Sequence, residues 1–128
     1  MDEVVEETKE HGYVQTVWGR RRYIPGIYER NKNLYEEARR VAINTKVQGT
    51  AAEIMKQGMI ALDAALSEQK IDAKILLQIH DELLVSSSKA VADVAEQLVT
   101  SCLESVVSWD VPFEVKTRRG GNWADVTK

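Results

Sequence analysis

The chain has 128 residues, 44% hydrophobic and 29% charged, with a net charge of −3, a balance ordinary for one globular domain or part of one. One cysteine and two histidines exclude an internal disulfide and leave too few ligands for a zinc constellation. No stretch approaches the ~20 apolar residues of a membrane span, and the acidic opening carries no signal-peptide pattern, so a reducing compartment is expected, cytoplasmic or organellar, with no membrane partner.

Charge is unevenly placed. Arginines cluster at Arg20 to Arg22, at Arg39 and Arg40, and at Arg118 and Arg119, while acids gather between Asp2 and Glu10. Local clusters, not totals, make an electrostatic footprint for a polyanion, although each cluster alone also reads as solvated surface charge.

Met1 to His11 reads as a short acidic helix with Gly12 as its C-cap residue, marginal by itself and expected to belong to something upstream. Tyr13 to Trp18 and Arg21 to Ile24, separated by Gly19-Arg20 and stopped by Pro25-Gly26, read as a β-hairpin. Two helices are expected next, Leu34 to Ile43 and Gln48 to Leu66, the second with small residues (Gly49, Ala51, Ala52, Gly58) that allow close approach by a neighbour. Lys74 to Ile79 and Glu82 to Val85 read as apolar strands on either side of His80-Asp81. Ser86 to Ser88 forms a polar break and an N-cap for an amphipathic helix, Val91 to Val107, with Cys102 as a small core residue. Val111 to Lys116 reads as a last edge strand, begun by Pro112, and Arg118 to Lys128 as a tail. The pattern is that of an α+β fold.

The segment that points to chemistry is Gln78-Ile79-His80-Asp81-Glu82-Leu83. Two adjacent carboxylates sit at the bend of an apolar hairpin, where rigid strands hold them in place. Acids at a fixed bend suit a hard cation such as Mg²⁺, which prefers oxygen ligands, but successive strand residues face opposite ways and at least one more acid is needed. Read alone, Asp at a turn is also an ordinary turn residue.

The wider sequence resembles family A DNA polymerases, the DNA polymerase I family. Leu77 to Val85, with His80-Asp81-Glu82 at its centre, resembles the family's motif C. Tyr13-Val14-Gln15-Thr16 with Gly19 to Pro25 resembles the fingers hairpin. Arg40 to Thr45 with Val47 to Ala52 resembles the approach to a long palm helix, and Gly121-Asn122-Trp123 the C-terminal ending. Order and spacing match over nearly the whole chain. The resemblance implies a partial palm with a fingers-derived hairpin and helix, residues 1–45 from fingers and 46–128 from palm. It implies template-directed nucleotidyl transfer onto a primer 3′-hydroxyl, in DNA replication and repair. Two Mg²⁺ ions would serve the complete enzyme, and primer-template DNA and deoxynucleoside triphosphates would be its partners. Asp81 would be one of two metal-binding aspartates, Glu82 an auxiliary acid, and His80 a neighbour of the primer end. Asn44 and Gln48 would lie along the duplex minor groove with Arg40 close by, where acceptors common to all base pairs are felt without reading sequence. Taken alone, Asn44 with Thr45 reads as a helix cap and Arg40 as surface charge.

The pattern departs from the family at Lys46, where proline is common; lysine is expected to loosen the turn into the helix or alter a phosphate contact. No counterpart is found for the strand bearing the second aspartate, or for the fingers helix that binds the triphosphate. The chain is therefore expected to begin inside a domain, to lack activity without the N-terminal part of the polymerase, and to self-associate through an exposed sheet. The alternative reading is a non-catalytic duplex-DNA-binding module derived from a polymerase.

Overall fold

The computed structural model describes residues 1–127. It is a mixed fold of helices and two small antiparallel sheets, in two compact units, Met1–Glu53 and the remainder from Ile54 onward.

In the first unit, helix α1 (Asp2–His11) ends on Gly12, whose φ of 79° lets its N–H reach the Thr8 carbonyl at 2.7 Å. Val5 is buried, so this acidic helix has a core face after all, and it packs with Val14, Ile24, Ile27, Ala38 and Ala42. Strands β1 (Tyr13–Gln15) and β2 (Arg21–Tyr23) pair antiparallel, Tyr13 opposite Tyr23. The hairpin is shorter than the sequence suggests, because Val17 and Trp18 lie in its loop. Gly19, at φ 87°, supplies the left-handed residue such a loop needs. A 3₁₀ turn, Pro25–Tyr28, follows with Pro25 at its first position.

Helix α2 (Lys32–Glu68) is one element of 37 residues, where two helices were expected. Asn44 and Thr45 do not break it. The Thr45 hydroxyl accepts a hydrogen bond from Arg22 Nη1 at 3.2 Å, and the helix runs on through it. Lys46 does not loosen the chain either: its Nζ lies 3.0 Å from Glu7 Oε2 of α1, inside an unbroken helix.

In the second unit, β3 (Ala73–Ile79) and β4 (Glu82–Ser87) form a hairpin, with Ile75 opposite Val85 but Leu77 opposite Leu84. Leu76 is the extra residue of this bulge, which re-aims the strand that leads to the turn. The sheet has two strands among the described residues, and Leu76 and Leu77 remain 57% and 36% exposed. β4 continues through Ser87, and Ser88 takes the N-cap position of a 3₁₀ turn, Lys89–Val91, without a side-chain cap bond; helix α3 (Ala92–Glu104) follows, also without one. Leu103 of α3 lies against Gly58 of α2, and Leu62, Leu66 and Ala95 are also buried. Cys102 is half-buried rather than a core residue.

The expected strand at 111–116 does not form. The Val115 N–H donates instead to Glu104 Oε1 of α3 at 2.9 Å, so one backbone donor is satisfied without a ladder. The tail contains a short helix, α4 (Trp123–Val126), whose cap Asn122 accepts from the Asp125 N–H at 3.1 Å through its side chain. No described helix is long and apolar enough to cross a membrane.

Candidate nucleic-acid interface and acidic turn

Because α2 is continuous, Arg40, Asn44 and Gln48 follow one another in four-residue steps on one side of a single helix, about 12 Å from first to last. All three are exposed. Asn44 and Gln48 line a groove of about 450 Å³ with Arg22, Val41, Thr45 and Gly49. Its polar groups are an amide pair, a guanidinium and a hydroxyl, and it contains no carboxylate. Amides and guanidinium donors at an open groove suit an acceptor-rich, anionic ligand. Arg40 stands on the same helix side but outside the groove lining.

The groove wall is held by a clasp within the first unit. Thr16 Oγ1 donates to the buried Glu53 Oε2 at 2.7 Å, and Arg20 Nε lies 3.5 Å from Glu53 Oε1. The Arg20 N–H donates to Thr16 Oγ1 at 3.2 Å, and the Val17 N–H to Thr50 Oγ1 at 3.3 Å. A Cβ on Gly49 would stand 2.8 Å from Thr16 Cγ2, so this contact requires glycine in the helix. The hairpin loop is thereby pinned one turn beyond Gln48, and β2 brings Arg22 to Thr45.

The second unit holds the acidic turn. His80 and Asp81 are the two loop residues between the paired Ile79 and Glu82. His80 has φ 52°, in the left-handed region, while Asp81 does not, which is the pattern of a turn that favours glycine first. A Gln78 Nε2 bond to the His80 carbonyl, 3.2 Å, braces this conformation. His80, Asp81 and Glu82 are all exposed. Among the described residues no three His, Cys, Asp or Glu side chains converge to hold a metal ion. Asp81 and Glu82 would by themselves be an incomplete ligand set for a divalent cation, which takes about six oxygen ligands.

The site residues expected from the sequence are Arg40, Asn44, Gln48, His80, Asp81 and Glu82. Two of them, Asn44 and Gln48, meet in the groove, and three meet at the turn. Arg22 and Thr45, which complete the groove, stand in the sequence only as part of an arginine cluster and a helix cap, and Glu53, which anchors the wall, is unmarked. Strand alternation was a usable signal for Arg22, since it shares a face with buried Val14 and not with Arg21 or Tyr23. Nothing in the local pattern marks Glu53.

The family model described as DNA polymerase family A matches residues 1–125. The chain belongs to DNA polymerase family A. All the groove and turn residues lie within the matched range. DNA polymerase I of Bacillus subtilis (strain 168) is 42% identical over 125 residues, 98% of this chain and 14% of that protein. DNA polymerase I of Deinococcus radiodurans is 45% identical over 115 residues, 90% of this chain and 12% of that protein. Among solved structures, the POL domain of Pol1 from M. smegmatis, in complex with DNA primer-template and dNTP, is similar with a TM-score of 0.84 and 41% identity. That match covers 88% of this chain and 20% of the other. This family A chain therefore spans about a seventh to an eighth of the length of these two relatives.

Proposed function

We propose that this chain forms part of a DNA-directed DNA polymerase that joins deoxynucleotides to a primer 3′-hydroxyl under the direction of a template. In that reaction the hydroxyl attacks the α-phosphate of a deoxynucleoside triphosphate and pyrophosphate leaves. The observation that carries the reading is the exposed row Arg40–Asn44–Gln48 on unbroken α2, in a chain of this family. Asn44 and Gln48 donate to minor-groove acceptors present on every base pair, so they test the shape of the primed duplex without reading its sequence. Arg40 pairs with a backbone phosphate beside them.

Asp81 offers one carboxylate to Mg²⁺, with Glu82 as an auxiliary acid and His80 beside the primer end. The incomplete ligand set means that the remaining acid must come from a partner segment, and that this chain alone does not polymerise. On this reading residues 1–45 derive from fingers and 46–128 from palm. The two-stranded sheet with exposed Leu76 and Leu77 would be covered by further chain in the complete enzyme, and otherwise promotes self-association.

The test has two arms. Fluorescence anisotropy on a primed duplex should show binding weakened about tenfold or more by Arg40→Ala with Gln48→Ala. Primer extension with Mg²⁺ should show no incorporation by the chain alone. Synthesis should appear when the preceding part of a family A polymerase is supplied in trans, and vanish again with Asp81→Ala. Incorporation by the isolated chain that depends on Asp81 would refute the need for a partner. Duplex binding indifferent to the helix substitutions would refute the groove assignment.

A further inference from the structure

The β1–β2 hairpin carries a second surface that the groove does not use. Alternation places Tyr13, Gln15, Arg21 and Tyr23 on the face opposite Val14 and Arg22. Tyr13 and Tyr23 are direct cross-strand partners, edge to face, with ring centroids 5.4 Å apart. The Arg21 guanidinium lies 4.5 Å from the centre of the Tyr13 ring. His11, the last residue of α1, stacks on Tyr13 with centroids 5.5 Å apart and planes 22° from parallel.

Cross-strand aromatic pairs and cation–π contacts stabilise hairpins in general, and that accounts for Tyr13, which is half-buried between its neighbours. It does not account for Tyr23, which leaves 68% of its surface in water. Nor does it account for the charge on Arg21. Arg20 and Arg39 are paired with Glu53 and Asp2, whereas Arg21 makes no ion pair among the described residues. The Glu10 carboxylate lies 4.0 Å from His11 Nε2, and the cationic centre of the face is Arg21.

An open aromatic ring beside an uncompensated guanidinium, on a rigid strand pair, is the arrangement that takes an unpaired base and its phosphate. We propose that this outer face, centred on Tyr23 and Arg21, binds a single nucleic-acid strand, with one base stacked on the Tyr23 ring and a flanking phosphate on Arg21. A duplex hides its base faces, so the surface selects the unpaired strand. The site lies on the opposite side of the hairpin from Arg22 and does not depend on nucleotidyl transfer by the chain.

The test is anisotropy of end-labelled oligothymidylate, about 20 nucleotides long so that it exceeds the ~4–16 nucleotides of a typical single-strand site. Tyr23→Ala and Arg21→Ala should each weaken binding about tenfold, and Tyr23→Trp should retain it. Affinity for a blunt duplex should move less than about twofold in the same variants. Arg21→Ala gives up its exposed cation–π contact with Tyr13 but no core packing, and so keeps the test decisive if Tyr23→Ala loosens the hairpin. Oligouridylate compared with oligodeoxyuridylate isolates the sugar: equal binding supports recognition of either, and weaker binding of the ribose form identifies DNA as the ligand. Failure of the chain to bind oligothymidylate, or equal affinity in the Tyr23→Ala/Arg21→Ala double variant, overturns the proposal.

Discussion

The Thr16 hydroxyl donates a 2.7 Å hydrogen bond to the carboxylate of Glu53, which is only 11% exposed, and so a hairpin loop and a helix 37 residues apart are joined by a buried acid. Charge-assisted bonds of this kind are short and costly to break, because the remaining partner stays buried and unpaired. Glu53→Ala should therefore destabilise the chain by about 1–3 kcal/mol in urea denaturation. Glu53→Gln keeps an acceptor for Thr16 and should recover roughly half of that. Equal losses for the two variants would show that the Thr16 bond contributes little.

Gly49 makes a sharper test of the same contact. Glycine inside a helix costs roughly 1 kcal/mol relative to alanine, so Gly49→Ala should stabilise α2 if nothing opposed it. Thr16 Cγ2, 2.8 Å from the added Cβ, does oppose it, and Thr16 is held in place by Glu53. Gly49→Ala should be destabilising by about 1 kcal/mol. Adding Thr16→Ser removes the methyl and keeps the hydroxyl, and should turn the sign, leaving the double variant more stable than Thr16→Ser alone. Additive effects in the double-mutant cycle would exclude the clash.

These relationships separate what the sequence discloses from what it conceals. Gly12 and Gly19 announced the end of α1 and the hairpin loop, because each needs positive φ. The apolar strands around His80-Asp81 disclosed β3 and β4 by their β-branched and leucine runs. The break placed between Ile43 and Gln48 was wrong for a tertiary reason. Asn44 and Thr45 read as a helix cap, yet the helix continues through both, and the Thr45 hydroxyl accepts from Arg22, a partner far away in sequence. The strand expected at 111–116 had suitable residues but no ladder, since strand formation depends on a neighbour that local pattern does not reveal. The short α4 was legible and passed over: Asn122 followed three residues later by Asp125 is a capping signal.

His80 sits at φ 52°, a conformation that costs a non-glycine residue of order 1–3 kcal/mol and persists where the surroundings enforce it. His80→Gly should stabilise the chain by about 1 kcal/mol, measured by thermal or urea unfolding. His80→Val, β-branched, should destabilise it by more than that. If Asp81 serves the polymerase, the complete enzyme should lose turnover in His80→Gly despite the gain in stability, because a looser turn holds the carboxylate less firmly. Unchanged stability in His80→Gly would show that the turn is unstrained.

The tail after α3 is tied back by charge, and that tie should respond to acid. Arg119 pairs with Asp93 Oδ1 at 2.7 Å and with Glu96, which also accepts from the Thr117 hydroxyl. The Thr117 bond, followed by the Arg119 bond, holds the Glu96 carboxyl below its ordinary value of 4.5. Asp93, then Glu96, raises the Arg119 guanidinium above its ordinary value, so the arginine stays charged throughout. A group whose folded pKa is depressed contributes stability that is present above its unfolded pKa and is lost as pH falls through the folded one. The tail contacts should therefore hold at neutral pH and release as pH drops below about 4.5. Chemical shifts of Thr117 and Arg119 followed by nuclear magnetic resonance should move together in that range, and Glu96→Gln should remove the Thr117 transition there while Arg119 keeps its contact with Asp93 at neutral pH. A tail that stays docked through the same range would mean that hydrogen bonding to α3, such as Val115 N–H to Glu104, suffices without the ion pair.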